Sequence, residues 1–347
     1  MTCRVIIKPS DHAFDVEPDE TVLAAALRQN FPLPYGCRDG ACGTCKGRVL
    51  EGKVDFGRYQ STALSDADRE AGYALFCQAK PLSDLVIEAR EIGAVRDIPI
   101  KMLPCRVQQL ERLAPDVIAM HLRLPANERL QFLAGQYIEI LLKDGKRRAF
   151  SMANAPHDDE HLQLHLRHYP GGSFTAYVFN QMKEREILRF QGPFGTFFLR
   201  EDSSKPIIFL ASGTGFAPIK SIVEHAFHRC IDRTMKLYWG ARTRADLYLD
   251  ALARGWADEH PNFSYVPVLS EARPEDAWEG RTGLVHEAVM ADHPNLSWYQ
   301  VYACGAPVMV EAAHRDFTSR CALPEDEFLS DAFTTAIDAS KKSTGQS

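Results

Sequence analysis

Three of the chain's cysteines share one short loop. In YGCRDGACGTCKG, residues 35–47, Cys37, Cys42 and Cys45 stand among glycines and charges that make no buried core, and Cys77 is the next cysteine along. The nine cysteines are clustered rather than spread as the staples of a small secreted domain, so free thiols or metal ligands are expected rather than disulfides. With 347 residues, 45% hydrophobic and 25% charged, the chain has the size of two or three soluble domains. Its net charge of -6 comes without a basic run able to follow a phosphate backbone, which argues against a nucleic-acid partner. Apolar stretches such as 206–211 fall far short of the ~18 residues that a membrane span needs. The opening MTCRVIIKPSD lacks the apolar core of a signal peptide, so a cytoplasmic protein with no membrane partner is expected.

The spacing Cys37-x4-Cys42-x2-Cys45 with a distant fourth thiolate, Cys77, is that of a plant-type [2Fe-2S] site. Gly36, Gly40 and Gly43 suit it, because a backbone wrapped round sulfides needs positive φ angles and inward N–H groups. A four-thiolate zinc site and metal-free structural cysteines are the alternatives. Zinc sites usually pair two short knuckles, whereas here three ligands share one loop. Around the loop, CRVIIK, HAFDV, KGRVL and LVIEA read as strands, and Asp19 is placed to cap a helix through ETVLAAALRQN that Pro32 and Pro34 end. Residues 1–95 therefore resemble a β-grasp [2Fe-2S] ferredoxin domain. They hold 14 acidic and 11 basic side chains, too even a balance to mark a docking face.

After a linker at 91–104, the pattern turns to short alternating strands. In LQLHLR, Leu162, Leu164 and Leu166 share one face and Gln163, His165 and Arg167 the other, as in an antiparallel β-barrel expected over 101–202. Within it, Arg148-Ala149-Phe150-Ser151 resembles the Arg-x-Tyr-Ser flavin motif of the ferredoxin–NAD(P) reductase superfamily. That resemblance implies that Arg148 pairs with the flavin diphosphate, Phe150 stacks on the isoalloxazine without a tyrosine's hydroxyl, and Ser151 bonds near flavin N5. Gly171, Gly172, Ser173 and Thr175 open a helix-like stretch whose N-terminus suits a phosphate. His157, His161, His165 and His168 read as solvated histidines rather than a metal site.

From Lys205 buried strands alternate with helices. PIIFLA, MKLYW, SYVPVL, YQVYAC and EFLSDAF give five strands of a doubly wound α/β nucleotide domain over 205–338. Gly213, Thr214 and Gly215 make a glycine turn between strand and helix, a place for a pyrophosphate. The turn resembles the superfamily's nicotinamide-nucleotide loop, and Cys304-Gly305-Ala306-Pro307 resembles its Cys-Gly-x-Pro motif, which implies that Cys304 lies where nicotinamide meets flavin. By the same resemblance Gly240 to Thr243 and Asp246 lie near the adenosine ribose, where Arg242 could meet a 2′-phosphate. The string is closer to NADH-using relatives, so NADH is favoured, with NADPH possible. Phe333 resembles an aromatic residue that covers the flavin in some members. Cys3, Cys105, Cys230 and Cys321 carry no expected role, and KKSTGQS reads as a disordered tail.

The resemblance over residues 1–338 is to the subgroup of that superfamily with an N-terminal [2Fe-2S] domain. It implies electron flow from NADH to FAD to [2Fe-2S], then to a separate protein: an oxygenase component, or a pyridoxamine-phosphate-dependent sugar dehydrase of the CDP-4-keto-6-deoxyhexose 3-dehydrase type. Nicotinamide gives two electrons together, a cluster accepts one, and a flavin can do both. A free-standing NADH:flavin or quinone oxidoreductase and a non-enzymatic redox sensor or zinc module are the competing readings.

Overall fold

The computed structural model describes residues 2–333. The chain forms two compact units, Met1–Pro99 together with Phe333, and Ile100–Ala332. In the first, β1 (Cys3–Lys8), β2 (Ala13–Val16), β3 (Lys46–Glu51), β4 (Tyr73–Leu75) and β5 (Leu85–Glu88) form one sheet in the order β2-β1-β5-β3-β4. Its central pair, β1 and β5, is parallel and buries Val5, Ile7, Leu85 and Ile87 at every second position. Helix α1 (Val22–Arg28) buries Val22, Leu23, Ala25 and Ala26. Its cap is Thr21, whose Oγ1 accepts the Ala24 N–H at 3.3 Å, and not Asp19, which takes a left-handed φ of 66° in the preceding turn. Asn30, at φ 64°, follows the helix before either proline.

The second unit contains two sheets. Strands β6 (Lys101–Ala114), β7 (Val117–Arg123), β8 (Tyr137–Leu141), β9 (Arg147–Ser151), β10 (Leu162–Arg167) and β11 (Ile187–Phe194) form an antiparallel sheet in the order β9-β8-β11-β6-β7-β10. A bridge between Met152 and Leu164 joins its two edges. Val107, Met120, Ile138, Ile140, Leu162, Leu164, Leu166 and Phe190 fill its core, and α2 (Ser173–Asn180) adds Phe174 and Val178. The expected linker at 91–104 is shortened, because β6 begins at Lys101. Pro104 is tolerated in this strand because there only β11 pairs with it, and pairing to β7 begins at Arg106.

The other sheet is all parallel. Strands β12 (Ile207–Ser212), β13 (Met235–Ala241), β14 (Phe263–Leu269), β15 (Arg281–Thr282), β16 (Gln300–Gly305) and β17 (Phe328–Ala332) run in the order β15-β14-β13-β12-β16-β17. The five expected strands are joined at one edge by β15, two residues long and too short for any alternation to reveal. Strand β12 is followed by a 3-10 turn, Gly213–Gly215, and α3 (Phe216–His228). Strand β16 is followed by α6 (Pro307–Arg320), numbered after α4 (Asp250–Glu259) and α5 (Val285–Asp292). Chain order reverses between β12 and β16, which is where open α/β sheets present a crevice.

Candidate functional site

The cysteine loop lies between α1 and β3, with Cys77 just beyond β4. The four thiols fall into two pairs, Cys37 with Cys42 and Cys45 with Cys77. The first pair is half-buried and the second buried. No three His, Cys, Asp or Glu side chains among the described residues surround a position for a single ion. Two pairs suit a two-iron cluster, two thiolates to each iron, better than one tetrahedral zinc. Backbone donors point at the sulfurs: Asp39 N–H to Cys37 Sγ and Cys37 N–H to Cys42 Sγ, both at 3.4 Å. Hydrogen bonding from Cys37 pulls the Cys42 thiol down to about 6, and hydrogen bonding from Cys45 lowers the Cys77 thiol. Gly40, at φ 72°, has to be glycine on a second count, since a Cβ there would sit 2.6 Å from the Arg58 carbonyl oxygen.

The two flavin-like motifs are brought together by an aromatic contact. Phe150 on β9 lies 5.7 Å from Phe174, in the first turn of α2, centroid to centroid. Gly172 caps that helix without any side-chain acceptor, and the Thr175 hydroxyl donates back to the Gly172 carbonyl at 3.2 Å. The first-turn N–H groups are thereby left for an anion. Arg148 is half-buried, donates to the Arg147 carbonyl at 2.8 Å, and forms no ion pair with a described residue. A guanidinium that pairs with no carboxylate, two residues before the phenylalanine that meets the uncapped helix, suits a diphosphate. Ser151 is buried and donates to Asp331 Oδ2 at 3.5 Å.

Asp331 on β17 lies opposite Cys304 on β16 in register. Burial, and next the Asp331 carboxylate, hold the Cys304 thiol well above the usual thiol range, so it stays protonated. The two nucleotide loops interlock at this point. A Cβ on Gly215 would fall 2.2 Å from the Cys304 carbonyl oxygen, and one on Gly305 would fall 2.3 Å from Ser212 Oγ. Ser212 Oγ accepts the Ala306 N–H at 2.9 Å, and the Trp239 indole N–H donates to the Gly213 carbonyl at 3.2 Å. Thr214 is buried within the turn. Asp246 Oδ2 accepts from both the amide and the hydroxyl of Thr243 at 3.0 Å, while Arg242 is exposed.

One expectation is overturned. His165 is buried, not solvated: Tyr248 covers it, with Tyr248 Oη 3.0 Å from Nδ1, and its Nε2 has no hydrogen-bond partner among the described residues. His161 and His168 are half-buried, and His157 stacks on His228 at 3.8 Å. The outward face of β10 is roofed by the nucleotide domain, so alternation identified the face but not what lies against it. Arg167 on that face pairs with Asp116 at 3.1 Å and Asp246 at 3.6 Å, and its Nη1 would lie 2.9 Å from a Cβ on Gly213. Arg167, Tyr248 and Asp331 were not anticipated as site residues. The available signal for Asp331 was a carboxylate inside the short strand FLSDA, next to Ser330 and flanked by apolar residues.

Burial first, then the positive charges of Lys220 and His121, depresses the His165 imidazole to about 3 from its ordinary 6.5. It is neutral in the fold, whereas the unfolded chain takes up its proton below about 6.5. Stability is therefore lost as pH falls from 6.5 towards 3, by about 2 kcal/mol between pH 7 and 5 from this one group. Thermal unfolding of the whole chain at those two pH values, compared with His165→Asn, measures it; identical pH dependence in both proteins would remove the assignment.

The sequence matches the family described as 2Fe-2S iron-sulfur cluster binding domain over residues 5–82, the oxidoreductase FAD-binding domain over 104–199, and the oxidoreductase NAD-binding domain over 209–315. It is 41% identical to the CDP-6-deoxy-L-threo-D-glycero-4-hexulose-3-dehydrase reductase of Yersinia pestis, covering 96% of this chain and 99% of that one. It is 37% identical to the reductase component of phenol 2-monooxygenase from a Pseudomonas species, covering 99% and 98%. The solved structure of the Amycolatopsis cytochrome P450 reductase GcoB superposes with a TM-score of 0.77 at 34% identity, over 96% of this chain and 99% of that one. The chain belongs to the three-domain iron–sulfur flavoprotein reductases of the ferredoxin–NAD(P) reductase superfamily, and is an oxidoreductase that carries electrons from NADH through FAD to a [2Fe-2S] cluster.

Proposed function

We propose that this chain is the NADH-oxidising component of a system whose terminal chemistry happens on a separate electron-accepting protein. The observation that carries the reading is the placement of the thiol pairs: Cys37 and Cys42 are half-buried at the surface of their unit, while Cys45 and Cys77 lie inside it. An electron held there is within reach of a docked protein. In this reading Cys37 and Cys42 hold one iron and Cys45 and Cys77 the other. Arg148 and the Gly171, Gly172, Ser173 and Thr175 turn hold the flavin diphosphate, and Phe150 lies against its ring. Gly213, Thr214, Gly215, Cys304 and Gly305 seat the nicotinamide nucleotide. When bound, the flavin accepts hydride from NADH and passes its electrons on singly to the cluster. Asp331, 3.5 Å from Ser151 Oγ, would help orient that hydroxyl for a contact near flavin N5, and the neutral Cys304 thiol would add no charge beside the hydride path.

Domain limits at 1–95, 101–202 and 205–338 belong to the same reading, as do a β-grasp fold for the first sheet and a closed barrel for the second, for which the Met152–Leu164 bridge is the support. Residues 334–338 and the KKSTGQS tail lie outside the described residues. No helix among the described residues is long and apolar enough to cross a membrane. A cytoplasmic location accords with nine cysteines none of which is in a disulfide, since the cytosol keeps thiols reduced.

The relatives point to two classes of acceptor, a dehydrase acting on a CDP-hexulose and an oxygenase. Anaerobic crosslinking of the tagged protein in its native extract, followed by mass spectrometry, separates them. Recovery of a pyridoxamine-phosphate enzyme places the chain in deoxysugar synthesis, and recovery of an iron-containing oxygenase places it in a hydroxylation system. Recovery of neither, with fast turnover on quinones, would replace the proposal by a free-standing reductase.

A further inference from the structure

We propose that Gln78, the residue after the fourth cysteine, is a positioning residue that clamps the cysteine loop and raises the potential of the cluster. The inference rests on Cys37, Cys42, Cys45 and Cys77 being the cluster ligands. Gln78 Nε2 donates to the Arg38 carbonyl at 3.0 Å and lies 3.9 Å from Cys77 Sγ, so the two protons of one amide serve the loop and the fourth ligand together. Arg38 takes a φ of 62°, a left-handed conformation costly for a non-glycine residue, and the Gln78 bond holds that peptide in place. The rest of Gln78 is enclosed by two glycines. A Cβ on Gly40 would fall 2.9 Å from Gln78 Cγ, and one on Gly57 would fall 2.7 Å from the Gln78 carbonyl oxygen. Three segments, the loop, the Gly57 turn and the Cys77 turn, thus meet at one residue.

Its effect on the potential follows from charge. An electron arriving from the chain's own flavin adds one negative charge to the cluster, shared with its thiolate sulfurs, with no bond broken. An N–H donor at Cys77 Sγ favours that reduced state. Gln78→Met keeps the length and removes the donor; Gln78→Glu keeps the shape and replaces the N–H by an acceptor. Both are expected to reduce the share of electrons on the cluster about tenfold, which for a one-electron couple is about 59 mV. The readout is an anaerobic redox titration of the full-length protein followed by electron paramagnetic resonance. A variant that keeps wild-type flavin but emerges without iron and sulfide also supports the clamp. Loaded variants with the wild-type potential overturn the proposal alone. Wild-type protein purified anaerobically without iron and sulfide would overturn the ligand set, and the proposal with it.

Discussion

Cys42→Ser leaves NADH-driven flavin reduction at its wild-type rate and cuts electron delivery to cytochrome c by more than the roughly 100-fold that changes outside a ligand set can cost. Cys42 is the thiol of its pair that gives up its proton readily, drawn down to about 6 by the hydrogen bond from Cys37, and it receives the Cys37 amide N–H as well. A serine hydroxyl in its place stays protonated, is shorter, and offers a hard oxygen where the cluster needs a thiolate. Arg148, Phe150, the Gly171–Thr175 turn, the Gly213–Gly215 turn and Cys304 belong to the other compact unit, Ile100–Ala332. Anaerobic stopped flow, following flavin bleaching with cytochrome c reduction in a parallel assay and iron content alongside, measures the two steps separately. Cytochrome c reduction at the wild-type rate in an iron-free variant would mean that electrons leave directly from the flavin, and would favour the free-standing reductase.

How much of this was legible beforehand depends on whether a feature is local. The Cys37, Cys42 and Cys45 spacing is local, because three ligands on one loop constrain the chain between them, and the strands with strict alternation, such as Leu162 to Arg167, were equally readable. Thr21 capping α1 in place of Asp19 turned on a single left-handed residue, which a string containing two plausible caps does not distinguish. Pro104 inside β6 depends on which neighbour pairs at that position, a property of the sheet and not of the strand. His165 and Asp331 are tertiary in the fullest sense. Each owes its environment to an element remote in sequence, Tyr248 for the first and Ser151 for the second, and residue type alone assigns them to solvent.

The second large effect is expected at Gly215, and it turns on space rather than on backbone conformation. Gly215 has a φ of -59°, open to any residue. An alanine methyl there would lie 2.2 Å from the Cys304 carbonyl oxygen, 2.5 Å from its carbon and 2.6 Å from Gly305 Cα. All three are backbone atoms, so no flexible side chain can give way. Ordinary contact needs an added ångström or so between the start of α3 and the end of β16, the two segments that flank the crevice where chain order reverses. Such overpacking costs about 3 kcal/mol, and an ångström of misplacement between reacting groups can cost roughly 100-fold in rate. Gly215→Ala is therefore expected to slow flavin reduction at saturating NADH about 100-fold, while dithionite still reduces the bound flavin fully. Cys304→Ala, which removes a thiol but leaves the interlocked backbone in place, should slow the same step while both prosthetic groups stay bound, and by less than Gly215→Ala. If the order of the two effects were reversed, the thiol itself would be the dominant element at the hydride path; if Gly215→Ala reduced flavin at the wild-type rate, the close approach of the two loops would have no part in placing the nicotinamide.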